Sequence, residues 1–93
     1  MLVAVDIGNT NIVLGFLDGD TIAGTYRITT KANHTSDEYG LFLTEFLRMS
    51  GFQPSDVDDE IICSVVPKVM LSFRSSIVKF LDIDPMVVGP GIK

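Results

Sequence analysis

Leu2-Val3-Ala4-Val5-Asp6-Ile7-Gly8-Asn9-Thr10-Asn11-Ile12-Val13 opens the chain with an apolar run, an acid, a polar turn and a second apolar run. Leu2 to Val5 is apolar at every position, the pattern of a strand buried in the middle of a sheet. That strand ends at Asp6, Ile7 to Asn11 reads as a turn, and Ile12 to Leu17 reads as a second strand. Asp18-Gly19-Asp20 is a hairpin signal leading into a third strand, Thr21 to Thr29. There Ile22, Gly24, Tyr26 and Ile28 alternate with Ala23, Thr25, Arg27 and Thr29, so one face is apolar and the other mostly polar, as in an edge or half-exposed strand.

Helices follow the meander. After the loop Lys31 to His34, Thr35-Ser36-Asp37-Glu38 has the spacing of a capping box. Tyr39, Phe42, Leu43, Phe46 and Leu47 then recur as one apolar helical stripe, with Gly51 as the stop. Ile61 to Val66 predicts a fourth strand. Pro67 then opens a second helix whose Met70, Phe73, Ile77, Phe80 and Leu81 face inward, and Met86 to Val88 predicts the last strand. The result is a mixed five-stranded sheet in the order β-β-β-α-β-α-β, an order that resembles the ribonuclease H-like fold shared by sugar kinases, actin, heat-shock chaperones and several nucleases. The fold alone does not assign a function.

Composition narrows the classes. A net charge of −5 and scattered basic residues give no footprint for a phosphate backbone, so nucleic acid is excluded as the expected partner. No apolar run approaches the roughly 18 residues of a membrane span, and Met1 leads into the first strand without a basic region or cleavage site, so a cytoplasmic protein is expected. Cys63 is the single cysteine and is expected to be core, as is usual for a free thiol in an apolar run. His34 is expected to be solvated, and Asp56, Asp58, Asp59 and Glu60 to form a solvated acidic loop.

The chemistry concentrates at Asp6-Ile7-Gly8-Asn9-Thr10-Asn11, a carboxylate at the carboxyl end of a buried strand followed at once by a tight polar turn. Ligands gather at that edge of such sheets. Gly8 lets a polyphosphate approach the backbone, and Asn9, Thr10 and Asn11 supply short amide and hydroxyl donors. Asp6 would repel phosphate oxygens by itself; holding Mg²⁺, directly or through water, turns it into a ligand of a magnesium nucleotide. The plainer alternative is a closed hairpin with Asp6 bonded to the turn's own amides. Neither a Walker loop nor a dinucleotide fingerprint is present.

Asp6-Ile7-Gly8-Asn9-Thr10-Asn11 with Ile12-Val13 resembles the first phosphate-binding motif of type III pantothenate kinases. Thr35-Ser36-Asp37-Glu38-Tyr39-Gly40, Ser64-Val65-Val66-Pro67 and Val87-Val88-Gly89-Pro90-Gly91-Ile92-Lys93 resemble that family's next landmarks, in order and across nearly the whole chain. The resemblance implies an N-terminal nucleotide-binding lobe over residues 1–93, cut before a second lobe. It implies a parent enzyme that phosphorylates pantothenate with ATP in the first committed step towards coenzyme A. ATP, Mg²⁺ and a monovalent cation, K⁺ or NH₄⁺, are implied as cofactors, with a homodimer as the working state. Asp6, Ile7, Gly8, Asn9, Thr10, Asn11, Ile12 and Val13 are implied as the ATP and phosphate site, with Asp6 toward magnesium. The family's general base lies in a Gly-Ala-Asp-Arg motif, which occurs nowhere in these 93 residues, so the piece alone is expected to be inactive. Gly89-Pro90-Gly91 is expected as a rigid turn on the same side as Asp6.

Two rivals share the fold. A two-metal nuclease needs further acids at neighbouring strand ends, and Ser64-Val65-Val66-Pro67 offers none. The alternative is a non-catalytic ATP-binding regulatory protein, which would keep the phosphate motif and lack the base.

Overall fold

The computed structural model describes residues 1–89. β1 (Leu2–Ile7), β2 (Asn11–Asp18) and β3 (Thr21–Thr29) form an antiparallel meander; α1 (Ser36–Met49), a short 3₁₀ turn (Pro54–Asp56), β4 (Asp59–Ser64), α2 (Pro67–Leu81) and β5 (Met86–Val88) follow. They build one sheet in the order β3-β2-β1-β4-β5, with β4 parallel to β1 and β5 parallel to β4. Parallel neighbours require crossovers, and α2 supplies the one from β4 to β5. The element order is the one the sequence predicts.

Alternation sorts the side chains. Val3, Val5 and Ile7 of β1, Ile12, Leu14 and Phe16 of β2 and Ile62 of β4 share one core with Tyr39, Leu43 and Leu47 of α1 and Val69, Phe73, Ile77 and Leu81 of α2. The helices therefore share one face of the sheet, and each large side chain buried there contributes about 1.5–3 kcal/mol. Leu2, Ala4, Asp6, Val13, Gly15, Ile61 and Cys63 take the intervening positions and look out from the opposite face. The two helices approach closely at Gly40, where an added Cβ would lie 2.2 Å from the Phe80 ring. Asp37 and Lys79 clamp the same crossing at 2.8 Å.

The capping box forms as the spacing predicts: the Glu38 amide donates to Thr35 Oγ1 at 3.2 Å and the Thr35 amide donates to the Glu38 carboxylate at 2.9 Å. That second bond is the main reason the Glu38 carboxyl lies below its ordinary range. Thr35→Ala removes one side of the box and is expected to cost about 1 kcal/mol, read as a lowered urea midpoint. Gly51, at φ +88°, ends the helix in the left-handed region that glycine tolerates.

Several expectations are corrected. β1 continues through Asp6 to Ile7 and β2 begins at Asn11, because Ile7 pairs with Ile12 and keeps the ladder closed up to the turn. β4 is Asp59–Ser64 and not Ile61 to Val66: its pairing with β1 begins at Leu2 and Asp59. Glu60 is therefore no solvated loop residue; it is 3% exposed. Cys63 falls on the open face and is exposed, not core. A register shift between Phe16 and Leu17 sets Gly24 opposite Phe16 and Ile22 opposite Leu17, so Ala23 joins the core while Ile22 is 66% exposed. His34 is not solvated: its ring makes edge contacts with Tyr39 and Phe42 and bonds Glu38 at 3.3 Å. In α2, Val69 and Ser76 are buried beside Phe73, Ile77 and Leu81, positions the inward stripe omitted. The Gly89-Pro90-Gly91 turn extends outside the described residues. No helix among the described residues is long and apolar enough to cross a membrane.

Candidate functional site

The carboxyl ends of β1 and β4 lie side by side, with Ile7 in register with Ser64 and the Val65 amide donating to the Ile7 carbonyl at 3.1 Å. Around this edge the Gly8 amide donates to the Asn11 carbonyl at 2.9 Å, which closes the β1–β2 hairpin over Asn9 and Thr10. A Cβ on Gly8 would stand 3.2 Å from that same carbonyl, so the tight closure favours glycine.

Thr30, which sequence reasoning missed, holds the turn from outside. Its amide donates to the Thr10 carbonyl at 2.9 Å and its hydroxyl donates to the Gly8 carbonyl at 2.8 Å. Backbone groups and Thr30 thus fix the turn, and the side chains of Asn9, Thr10 and Asn11 make no hydrogen bond among the described residues. Asn9 and Thr10 are exposed. Thr30→Val keeps the shape and deletes the hydroxyl; a loss of about 1 kcal/mol is expected, measured by urea unfolding, with faster exchange of the bonded Gly8 and Thr30 amides.

Asp6 lies on the open face of β1, exposed. Its carboxylate has no hydrogen bond and no ion pair among the described residues, so it does not satisfy the amides of its own turn as the closed-hairpin alternative requires. It shares a shallow depression of about 330 Å³ with Ala4, Val13, Gly15, Ile61 and Cys63. A free carboxylate beside free amide and hydroxyl groups is a donor set suited to one protein contact on Mg²⁺, an ion that keeps most of its waters and seeks phosphate oxygens for the rest. The described residues contain no group of three acid, His or Cys side chains placed to cage a metal by themselves.

Asp6, Gly8, Asn9, Thr10 and Asn11 thus gather at one edge. Ile7 and Ile12 do not present side chains to it: both are fully buried under the helices, and only their backbone is at the turn. Val13 looks out beside Asp6. The remaining motifs are structural where they are described. Tyr39 is buried, with its hydroxyl donating to the Lys31 carbonyl at 3.2 Å, and burial pushes its phenol above the ordinary range. Ser64 accepts from the Val66 amide at 3.0 Å and shapes the β4–α2 turn.

The crystal structure of a ROK hexokinase from Thermus thermophilus is similar with a TM-score of 0.70, covering 95% of this chain and 34% of that one. At 12% identity this likeness shows the fold alone. A type III pantothenate kinase of Bifidobacterium longum (strain DJO10A) is 97% identical over the 93 residues, and one of Bifidobacterium adolescentis is 77% identical. The chain spans 36% of the length of each of these relatives. The family model for type III pantothenate kinase matches residues 2–93, so the turn, its Thr30 clamp and the strand that carries Asp6 all lie inside the match, and the chain belongs to the type III pantothenate kinase family.

Proposed function

We propose that residues 1–93 form the nucleotide-binding lobe of an enzyme that transfers the γ-phosphoryl group of ATP to the terminal hydroxyl of pantothenate. The observation that carries this reading is the exposed, unpartnered Asp6 carboxylate beside a turn whose own hydrogen bonds are already satisfied by backbone and Thr30. Such a turn has donors to spare for an anion, and family membership names the anion's chemistry.

In the transfer the pantothenate oxygen bonds to the γ-phosphorus, the bond from that phosphorus to the β–γ bridging oxygen breaks, and ADP leaves. The hydroxyl proton passes to an aspartate expected in the Gly-Ala-Asp-Arg motif outside these residues. Asn9, Thr10 and Asn11 orient phosphate oxygens from the turn, and Gly8 keeps the approach open. Asp6 is the residue placed to hold Mg²⁺, which when bound neutralises phosphate charge. Because one lobe supplies only part of this arrangement, the 93-residue piece alone should not turn over. The monovalent cation, the homodimer and the cytoplasmic setting belong to the same reading; exchanging potassium or ammonium for sodium in the assay tests the first.

The experiment is a titration of MgATP into the ¹⁵N-labelled complete protein. The amides of Gly8, Asn9, Thr10 and Asn11 should shift together, and much less when magnesium is chelated. Saturable shifts confined to residues away from this turn would place the nucleotide elsewhere.

A further inference from the structure

The cations of this acidic chain divide by position. Arg48 pairs with Glu45, Arg74 with Asp84 at 2.6 Å and Lys79 with Asp37 at 2.8 Å. Arg27, Lys31 and Lys68 have no ion pair among the described residues, and all three are exposed. Each of these three belongs to the edge or the row that carries Asp6.

Arg27 sits opposite Val13 on β3, and Val13 sits opposite Asp6, so the three side chains form one row on the open face. Directly opposed residues of antiparallel strands are about 4.5–5.5 Å apart, so two steps put the Arg27 Cα about 10 Å from that of Asp6. A long guanidinium side chain and a phosphate group together bridge that span. Lys31 follows Thr30, the residue bonded to the carbonyls of Gly8 and Thr10. Lys68 lies in the first turn of α2, three residues after Val65, whose amide is bonded to Ile7. A cation near a helix N-terminus opposes the dipole, and no acid in that turn offsets it.

The far edge has the opposite sign. Asp18 and Asp20 flank the β2–β3 turn, and Asp56, Asp58 and Asp59 precede or open β4, where it pairs with the start of β1. In a chain of net charge −5, the three basic side chains without an ion pair among the described residues stand toward the Asp6 edge, where they counter its carboxylate.

We infer that Arg27, Lys31 and Lys68 form a cationic collar that holds the polyphosphate of the nucleoside triphosphate over the Asp6–Asn11 edge. The inference rests on the function proposed above and deepens it: Asp6 and the turn accommodate the metal and the phosphate approach, and the collar supplies the charge that distinguishes a triphosphate from a monophosphate. Guanidinium and ammonium groups contribute through charge-assisted hydrogen bonds to phosphate oxygens.

The test is calorimetric binding of MgATP and of AMP to the complete protein, comparing Arg27→Gln, Lys31→Gln and Lys68→Gln with Arg48→Gln, whose ion pair lies on the exposed face of α1. Each collar variant should weaken MgATP by roughly tenfold, change AMP by less than about twofold and flatten the salt dependence; Arg48→Gln should match wild type. Arg27→Lys, Lys31→Arg and Lys68→Arg should recover most of the affinity, which separates charge from folding. Collar variants that bind MgATP like Arg48→Gln, or that lose AMP and MgATP equally, overturn the collar while leaving the nucleotide site standing. A wild-type protein that binds neither nucleotide overturns both the collar and the reading beneath it.

Discussion

Asp6→Asn should reduce turnover of the complete enzyme by at least about a thousandfold while leaving its stability within about 0.5 kcal/mol. The two halves of that expectation come from the same feature. The carboxylate is exposed, on the open face of β1, and bonds to nothing among the described residues, so the fold does not depend on its charge. Under the proposed function that charge serves a ligand. An amide of the same shape keeps the strand and the Ile7–Ile12 closure, but gives magnesium no anionic contact beside the phosphates. Raising magnesium should therefore recover part of the lost activity in Asp6→Asn and little in wild type. A variant that unfolds would instead assign Asp6 a structural role.

The second large effect lies at the other end of the sheet. Glu60 is 3% exposed, and neither carboxylate oxygen has a hydrogen-bond partner among the described residues. Burial pushes its carboxyl up to about 8 from an ordinary 4.5. Between those values the folded protein keeps a proton that the unfolded chain has released, so the folded state binds more protons and stability falls as pH rises. The contribution is fully present below the unfolded value and is lost progressively through the folded one. At about 1.4 kcal/mol per pH unit, the change from pH 5 to pH 8 is roughly 4 kcal/mol. Glu60→Leu removes the titration and is expected to be about 3 kcal/mol more stable than wild type at pH 8, with a flat profile across the range. Urea unfolding at the two pH values measures both. A wild-type stability that is level or rises with pH would contradict the argument. Since β4 runs from Asp59 to Ser64, Glu60 is near the strand's start and remote from the Asp6 edge, so turnover in Glu60→Leu should be unchanged.

Glu60 also marks where the sequence stopped being legible. Periodicity and punctuation were enough for the element order, for Thr21–Thr29 and Met86–Val88 as strands, and for the Thr35 cap, because these signals are local. They failed where the deciding contact is distant. Ile61 to Val66 is mostly apolar on both faces, so nothing local fixes which side chains point inward; the pairing of Leu2 with Asp59 does, and it buries Glu60 while exposing Cys63. The bulge opposite Leu17 reverses Ile22 and Ala23 for the same reason. At the site, Asp6 and the turn could be read because a carboxylate, a glycine and three short polar side chains crowd one strand end. Thr30 could not: its bonds to Gly8 and Thr10 reach back about twenty residues and leave no pattern in the intervening chain.

The most direct measurement is pantothenate-dependent ADP release by the complete protein, with Mg²⁺ and potassium or ammonium present and with Asp6→Asn and the 93-residue piece assayed in parallel. ADP release should require pantothenate, fall at least about a thousandfold in Asp6→Asn and be absent from the piece alone. ATP binding without any pantothenate-dependent ADP release would contradict it and identify an ATP-binding protein that has no kinase activity; undiminished turnover in Asp6→Asn would contradict the role given to that carboxylate.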